Sequence, residues 1–259
     1  MRPIASALAV LSVLSVLGAD PQGPDTKGPD TKGRKNLVAN GDFEAPGKGG
    51  PASWQKPDGL TSFWAAAPGR KGKCIQIDTD VLVQQFRDRE DAMEKARKEG
   101  REPPAPPKRQ GTAPPKYDTV AGLDGVHFGC DPIPIDPEKH YLLEADVRAD
   151  VKDGETVPPK LWIKAFAPAK TRDTDRERIV WKKSLNCEGA TREWKTFRMV
   201  IPRDTKIPAT VKSVRIYLYP FWPPATYHFD NVRLMEITEE EAKVFAQEKG
   251  LLEKSGPKK

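Results

Sequence analysis

Two short stretches hold the residues best suited to chemistry. In Leu161-Trp-Ile-Lys-Ala-Phe166, the aliphatic Leu161, Ile163 and Ala165 alternate with Trp162, Lys164 and Phe166. In Val214-Arg-Ile-Tyr-Leu-Tyr219, Val214, Ile216 and Leu218 alternate with Arg215, Tyr217 and Tyr219. Successive side chains of a strand point to opposite faces. The aliphatic set of each stretch then fills a core, and the other six residues face away from it. An ordinary solvated face would carry Lys, Glu or Thr. Four of these six are large aromatics, so something should cover them. Flat rings beside cationic donors suit a sugar, whose C–H faces stack and whose hydroxyls need hydrogen-bond partners. The same rings would also suit packing beneath another segment or another subunit, and the phase alone leaves both readings open. Phe221-Trp-Pro-Pro224 is a loop placed to overhang the same face, whereas Trp54, Trp181 and Trp194 read as core or edge packing.

Catalytic signatures are missing. There is no Gly-x-Ser-x-Gly, no His-Glu-x-x-His, no phosphate loop and no Cys-x-x-Cys. His127, His140 and His228 share no metal-ligand spacing. Acidic residues are plentiful, so a small glycan hydrolase working through two carboxylates stays open as an alternative, but no one pair stands out. Lys plus Arg number 43 against 37 Asp plus Glu, a net charge of +6. That excess is spread along the chain, which argues against nucleic acid and stays compatible with an acidic polysaccharide.

Short strands must position these residues. Lys73–Asp78, Val81–Phe86, Val126–Cys130, Tyr141–Ala149, Lys160–Ala167, Arg178–Leu185, Trp194–Ile201 and Val211–Tyr219 read as strands joined by turns. Without helical spacers they predict an all-β sandwich or barrel, and 26 Pro and 20 Gly fit its turns. Residues 87–116 break the pattern, with a run of charge followed by three Pro-Pro pairs. They are expected to form a disordered surface insertion, helical at most in its polar first half. Thr238-Glu-Glu-Glu241 is a capping box that opens a short helix in 238–259. At the other end, Arg2 and the apolar run Ile4–Leu17 read as a secretory signal over residues 1–19. Nothing after it is long enough to span a bilayer. Residues 20–35 repeat Gly-Pro-Asp-Thr-Lys and form a polar linker. The expected location is therefore secreted, periplasmic or in the cell envelope. Cys130 and Cys187 lie in phase with core positions and Cys74 does not; a Cys130–Cys187 bridge and three idle thiols are both open.

The strand series begins at Asn36-Leu-Val-Ala-Asn-Gly-Asp-Phe-Glu44, with Leu37–Ala39 read as a strand and Asn40-Gly41 as its turn. It closes at Tyr227-His-Phe-Asp-Asn-Val-Arg-Leu234. An opening and a closing of this kind resemble carbohydrate-binding modules of families 4, 9 and 22. The resemblance spans Asn36 to Ile237 and implies a galactose-binding-like jelly roll over 36–237. It further implies a structural calcium held by Glu44 and Asp230, with Asp42 and the Lys73 carbonyl as further ligands. The combined expectation is an exported, non-catalytic carbohydrate-binding module that uses Trp162, Lys164, Phe166, Arg215, Tyr217 and Tyr219. The alternative from another class is a structural or interaction domain of an envelope complex, with protein as its partner.

Overall fold

Alternating aliphatic residues make strands here because each strand has one face to bury. A computed structural model describes residues 33–107, 116–151, 158–167, 178–203 and 205–245. In chain order the strands are β1 (Pro46–Gly47), β2 (Gly50–Pro51), β3 (Ser62–Ala66), β4 (Lys73–Asp78), β5 (Phe128–Gly129), β6 (Ile133–Pro134), β7 (His140–Ala149), β8 (Lys160–Ala167), β9 (Arg178–Asn186), β10 (Lys195–Ile201), β11 (Ser213–Tyr219) and β12 (Thr226–Ile237). Helices α1 (Val83–Lys98) and α2 (Val120–Leu123) lie between β4 and β5. A third helix, α3, covers 239–245.

The strands form a jelly-roll sandwich. The back sheet runs β10-β7-β12-β4-β3 and the front sheet β5-β11-β8-β9, with β6 added beside β11. From β9 onward the chain changes sheet at every connection: β9 front, β10 back, β11 front, β12 back. The front sheet sends Leu161, Ile163, Ala165, Val214, Ile216 and Leu218 into the core, each at most 1% exposed. The back sheet answers with Ile75, Ile77, Leu143, Val147, Phe229 and Leu234, all fully buried. Burying a large aliphatic is worth about 1.5–3 kcal/mol. A one-residue slip of β8 or β11 would expose three of these and is excluded on that ground. Strand β12 keeps its apolar residues inward on both sides of a bulge between Asp230 and Arg233, where Asn231 takes φ 48°.

Several expectations are corrected. Val81–Phe86 is not a strand, because α1 begins at Val83. Residues 87–98 belong to that helix and are ordered against the body of the domain. The reason is a stripe at helical spacing, Phe86, Arg89, Met93 and Ala96, in which Arg89 and Ala96 are buried. The Arg89 guanidinium donates to the carbonyls of Asp58 at 2.9 and 2.7 Å and of Pro104 at 2.6 Å. Residues 108–115, the signal at 1–19 and linker residues 20–32 lie outside the described residues. Leu37–Ala39 forms no ladder strand either. Its segment is tied to β12 by Leu37 N–H on the Leu234 carbonyl, at 2.8 Å, and by the Asn36 side chain, which donates to Val232 O and accepts from Leu234 N. Of the pair Asn40-Gly41 only Asn40 takes a positive φ, 51°, and Phe43 at the end of the turn takes 56°. Gly41 is required for proximity instead: a Cβ there would stand 1.9 Å from the Val232 carbonyl oxygen.

The capping box forms as expected. The Thr238 N–H donates to the Glu241 carboxylate at 2.9 Å, and Glu241 N–H donates to the Thr238 hydroxyl at 3.2 Å. Helix α3 lays Ala242 and Phe245 over Leu142, Met235 and Ile237 on the outer face of the back sheet. The three cysteines are free and buried, so the Cys130–Cys187 bridge is not formed. Cys130 Sγ instead accepts the Ile216 N–H at 3.2 Å.

Candidate functional site

Strand pairing decides which outward residues meet. On the front sheet Arg215 pairs with Lys164, Tyr217 with Trp162, and Tyr219 with Lys160. Across the next boundary Lys164 pairs with Lys182, Trp162 with Ser184, and Phe166 with Ile179 after a register shift. Directly paired residues share a face. All six expected residues, Trp162, Lys164, Phe166, Arg215, Tyr217 and Tyr219, therefore lie on the outer face of the front sheet, and each is partly buried.

The rings touch one another. Trp162 and Tyr219 have centroids 6.4 Å apart, and Phe166 meets Tyr217 edge-on at 6.3 Å. Phe221 stacks on Tyr219 at 5.7 Å, so the 221–224 loop does overhang this face. His127 completes the set, stacked on Tyr219 at 4.3 Å and edge-on to Tyr217 at 6.2 Å. Gly129 lies opposite Tyr217, and a Cβ there would stand 2.7 Å from the ring. The cations lie over the rings: Lys164 Nζ is 4.7 Å from the Tyr217 centroid, Lys182 Nζ 5.4 Å from Trp162, and Arg215 5.3 Å from Phe166. Helix α1 is held by Asp58 and Pro104, but the residues after it reach the rim. Tyr117 stacks on Trp222 at 5.5 Å, and Asp124 accepts the Tyr219 hydroxyl at 3.2 Å.

The electrostatics follow from crowding. Burial, then the charge of Lys164, pushes His127 down to about 4 against the pull of Asp124. It is neutral at pH 7 and presents an uncharged ring. Burial and the neighbouring Lys182 hold Lys164 below the ordinary lysine value. Burial, then the Asp124 charge, pushes Tyr219 up to about 12, so its hydroxyl stays protonated. The arrangement offers stacking surfaces, donors and positive charge. His127 was absent from the sequence-derived set, although it is out of phase with the inward Val126 and Phe128, and that phase could have identified it.

The two expected calcium ligands are placed elsewhere and differently. Glu44 accepts the Lys73 N–H at 2.7 Å. Asp230 lies on the outer face of the back sheet, paired in register with Asp146. The Arg70 guanidinium reaches both acids, 2.9 Å from Asp146 and 2.6 Å from Asp230. It also stacks 3.7 Å over Trp194, whose indole N–H donates to the Pro68 carbonyl at 2.8 Å. Asp146 receives Asn231 Nδ2 and the Thr196 hydroxyl as well. Burial works against the Asp146 charge, but these hydrogen bonds and Arg70 bring its pKa below the ordinary value. Burial and the Asp146 charge take Asp230 up to about 6. The two carboxylates titrate as a pair, with Asp146 holding its charge more firmly. Among the described residues no group of three or more His, Cys, Asp or Glu side chains is placed to hold a metal. The Asp230 carboxylate is engaged by Arg70 and that of Glu44 by the Lys73 N–H.

No family model matches the chain, and no curated protein matches it. Solved structures of carbohydrate-binding modules are similar to it in fold. A structure described as Family 16 Carbohydrate Binding Module-2 is 15% identical, with 78% of this chain and 100% of that one covered at a TM-score of 0.43. A CBM4 structure is 16% identical over 77% of this chain and 99% of that one, at a TM-score of 0.36. The CBM22-1 xylan-binding domain from Paenibacillus barcinonensis Xyn10C is 9% identical over 79% of this chain and 96% of that one, at 0.38. Among the described residues no helix is long and apolar enough to cross a membrane.

Proposed function

We propose that this chain is an exported carbohydrate-binding module without catalysis of its own, and that it takes a poly- or oligosaccharide on the outer face of the front sheet. The observation that carries this reading is the row Gly129–Tyr217–Trp162–Ser184. Two rings stand side by side across the β8–β11 pairing, between a glycine that leaves room for one of them and a serine that offers a hydroxyl. His127, Tyr219 and Phe221 extend the surface. Aromatic faces are favourable against the C–H faces of a sugar, and the hydroxyl, imidazole and ammonium groups between them supply hydrogen bonds. A hydrolase reading would want two facing carboxylates; the acid in hydrogen-bond contact with these rings is Asp124, held by Tyr219.

A glycan array followed by Trp162→Ala and Tyr217→Ala tests the proposal. Losing a stacked ring should weaken binding about tenfold, on the order of 1–2 kcal/mol. Melting should stay near wild type, because neither ring belongs to the core between the sheets. Unfolding of both variants would show the rings to be structural. Wild-type affinity in both would hand the face to another partner, such as a protein of the cell envelope.

A further inference from the structure

The outer faces of the two sheets treat cations in opposite ways. On the back sheet the arginines are matched to acids. Arg70 meets Asp146 and Asp230, and Arg148 meets Asp150 at 3.1 Å. Glu144, fully buried, lies between Arg198 and Arg233. On the front sheet a row of three cations crosses three strands, Arg215–Lys164–Lys182, each in direct register with the next. Like charges placed directly opposite destabilise a sheet. Lys164 and Lys182 have no ion pair with any acid among the described residues; their contacts are with Tyr217 and Trp162. Asp124 acts on Lys164, but its carboxylate is engaged by the Tyr219 hydroxyl. One sheet face is neutralised by buried and half-buried acids, and at the centre of the other the Lys164–Lys182 pair has no acid in an ion pair among the described residues.

We propose that the glycan taken by this face is an anionic one, with its sugar rings on Tyr217 and Trp162 and its acidic groups on the Lys164–Lys182 pair. The proposal rests on the reading of the ring face as a glycan site. The ring row and the cation row are two residues apart along each strand, about 7 Å. Each ammonium already leans back over a ring, so an acid group carried at the edge of a stacked sugar lies within its reach. An incoming carboxylate or sulfate relieves the repulsion between the two ammonium groups. A neutral polysaccharide would stack equally well and leave that repulsion in place.

The test is binding to two matched pairs of probes, measured calorimetrically at low and moderate salt. Polygalacturonate and its fully methyl-esterified form share a backbone and differ in carboxylate. Dextran sulfate and dextran differ in sulfate. Expected is an affinity about tenfold higher for the acidic member of at least one pair, with the advantage shrinking as salt rises. The pair that shows it names the acid group. The double variant Lys164→Gln/Lys182→Gln should erase the advantage of the acidic member over the neutral one, with melting as the control for folding. Equal affinity for both members of each pair, absence of binding to both acidic probes, or an advantage that survives in the double variant would overturn the inference. So would lysine-dependent binding of a single-stranded oligonucleotide as tight as that of the acidic glycans. A neutral glycan bound through Trp162 and Tyr217 would leave the broader carbohydrate reading standing while this one fell.

Discussion

Replacing Arg70 by Met removes one guanidinium and keeps a stem of similar length. The side chain is 26% exposed, Asp146 14% and Asp230 7%. Without it, Asp146 keeps Asn231 and Thr196 as donors, but Asp230 keeps only the adjacent Asn231 N–H among the described residues. Breaking a buried ion pair from one side costs about 3–5 kcal/mol. Here the loss is softened because Asp230 can take up a proton, so about 2–3 kcal/mol is expected at pH 7.5, or roughly 4–12 °C in melting temperature for a domain of this size. The pH dependence has a definite sign. Asp230 sits at about 6 in the folded state against 3.8 ordinarily. A raised acid contributes stability that is present below pH 3.8 and lost as pH rises through 6. Removing Arg70 raises the folded value further, so the deficit of the variant should be largest near pH 7.5 and smaller at pH 5. Thermal melts of both proteins at the two pH values, each with chelator and with added calcium, make the assay. Equal deficits at pH 5 and 7.5, or none at all, would refute the reasoning. Wild-type melting should be the same with chelator and with calcium, and a fall on chelation would show that a metal shares the work assigned to Arg70.

Two further outcomes follow from single positions. Gly41→Ala drives a methyl group onto the Val232 carbonyl, a backbone atom that cannot swing aside, and should cost about 3 kcal/mol or more in denaturant unfolding; an unchanged midpoint would refute the close approach. His228, 4% exposed, is pushed by burial down to about 4, against 6.5 ordinarily. A depressed histidine contributes stability that is present above pH 6.5 and lost as pH falls toward 4, about 3 kcal/mol in full. The stability difference between wild type and His228→Gln should therefore shrink from pH 7 to pH 4.5, and NMR titration of the imidazole gives a direct check.

The front sheet was readable because its two key strands alternate strictly and their outward residues are of the wrong type for plain solvation. Lys160–Ala167 was identified to the residue, and Val211–Tyr219 began only two residues early. Helix α1 was legible only as a polar stretch, helical at most, because the centre of its buried stripe is Arg89. That side chain is satisfied by the carbonyls of Asp58 and Pro104, and a carbonyl leaves no trace in residue types. Strand β3 was missed because Ser62-Phe-Trp-Ala-Ala66 does not alternate. The charge partner of Asp230 was the least visible of all. Arg70 sits in Gly69-Arg-Lys-Gly72, which reads as an exposed turn, and its partners lie 76 and 160 residues away. Pairings at that separation are decided by register, which local pattern does not reveal. The front-face cations were read only in part for the same reason: Lys182 joins Lys164 through the β8–β9 register.

The contacts among the front-face rings bear on how binding energy is spent. A mobile aromatic that becomes fixed on meeting a ligand loses rotamer freedom at that moment, about 0.5–1.5 kcal/mol for each immobilised side chain. Here Phe221, Tyr219 and His127 already hold one another in a stack, and Trp162, Tyr217 and Phe166 are braced by ring edges and by the lysine and arginine stems above them. Their freedom was given up when the chain folded. A ligand therefore meets a pre-organised surface, and loosening the lattice at a ring it never touches would lower its affinity without removing a single contact.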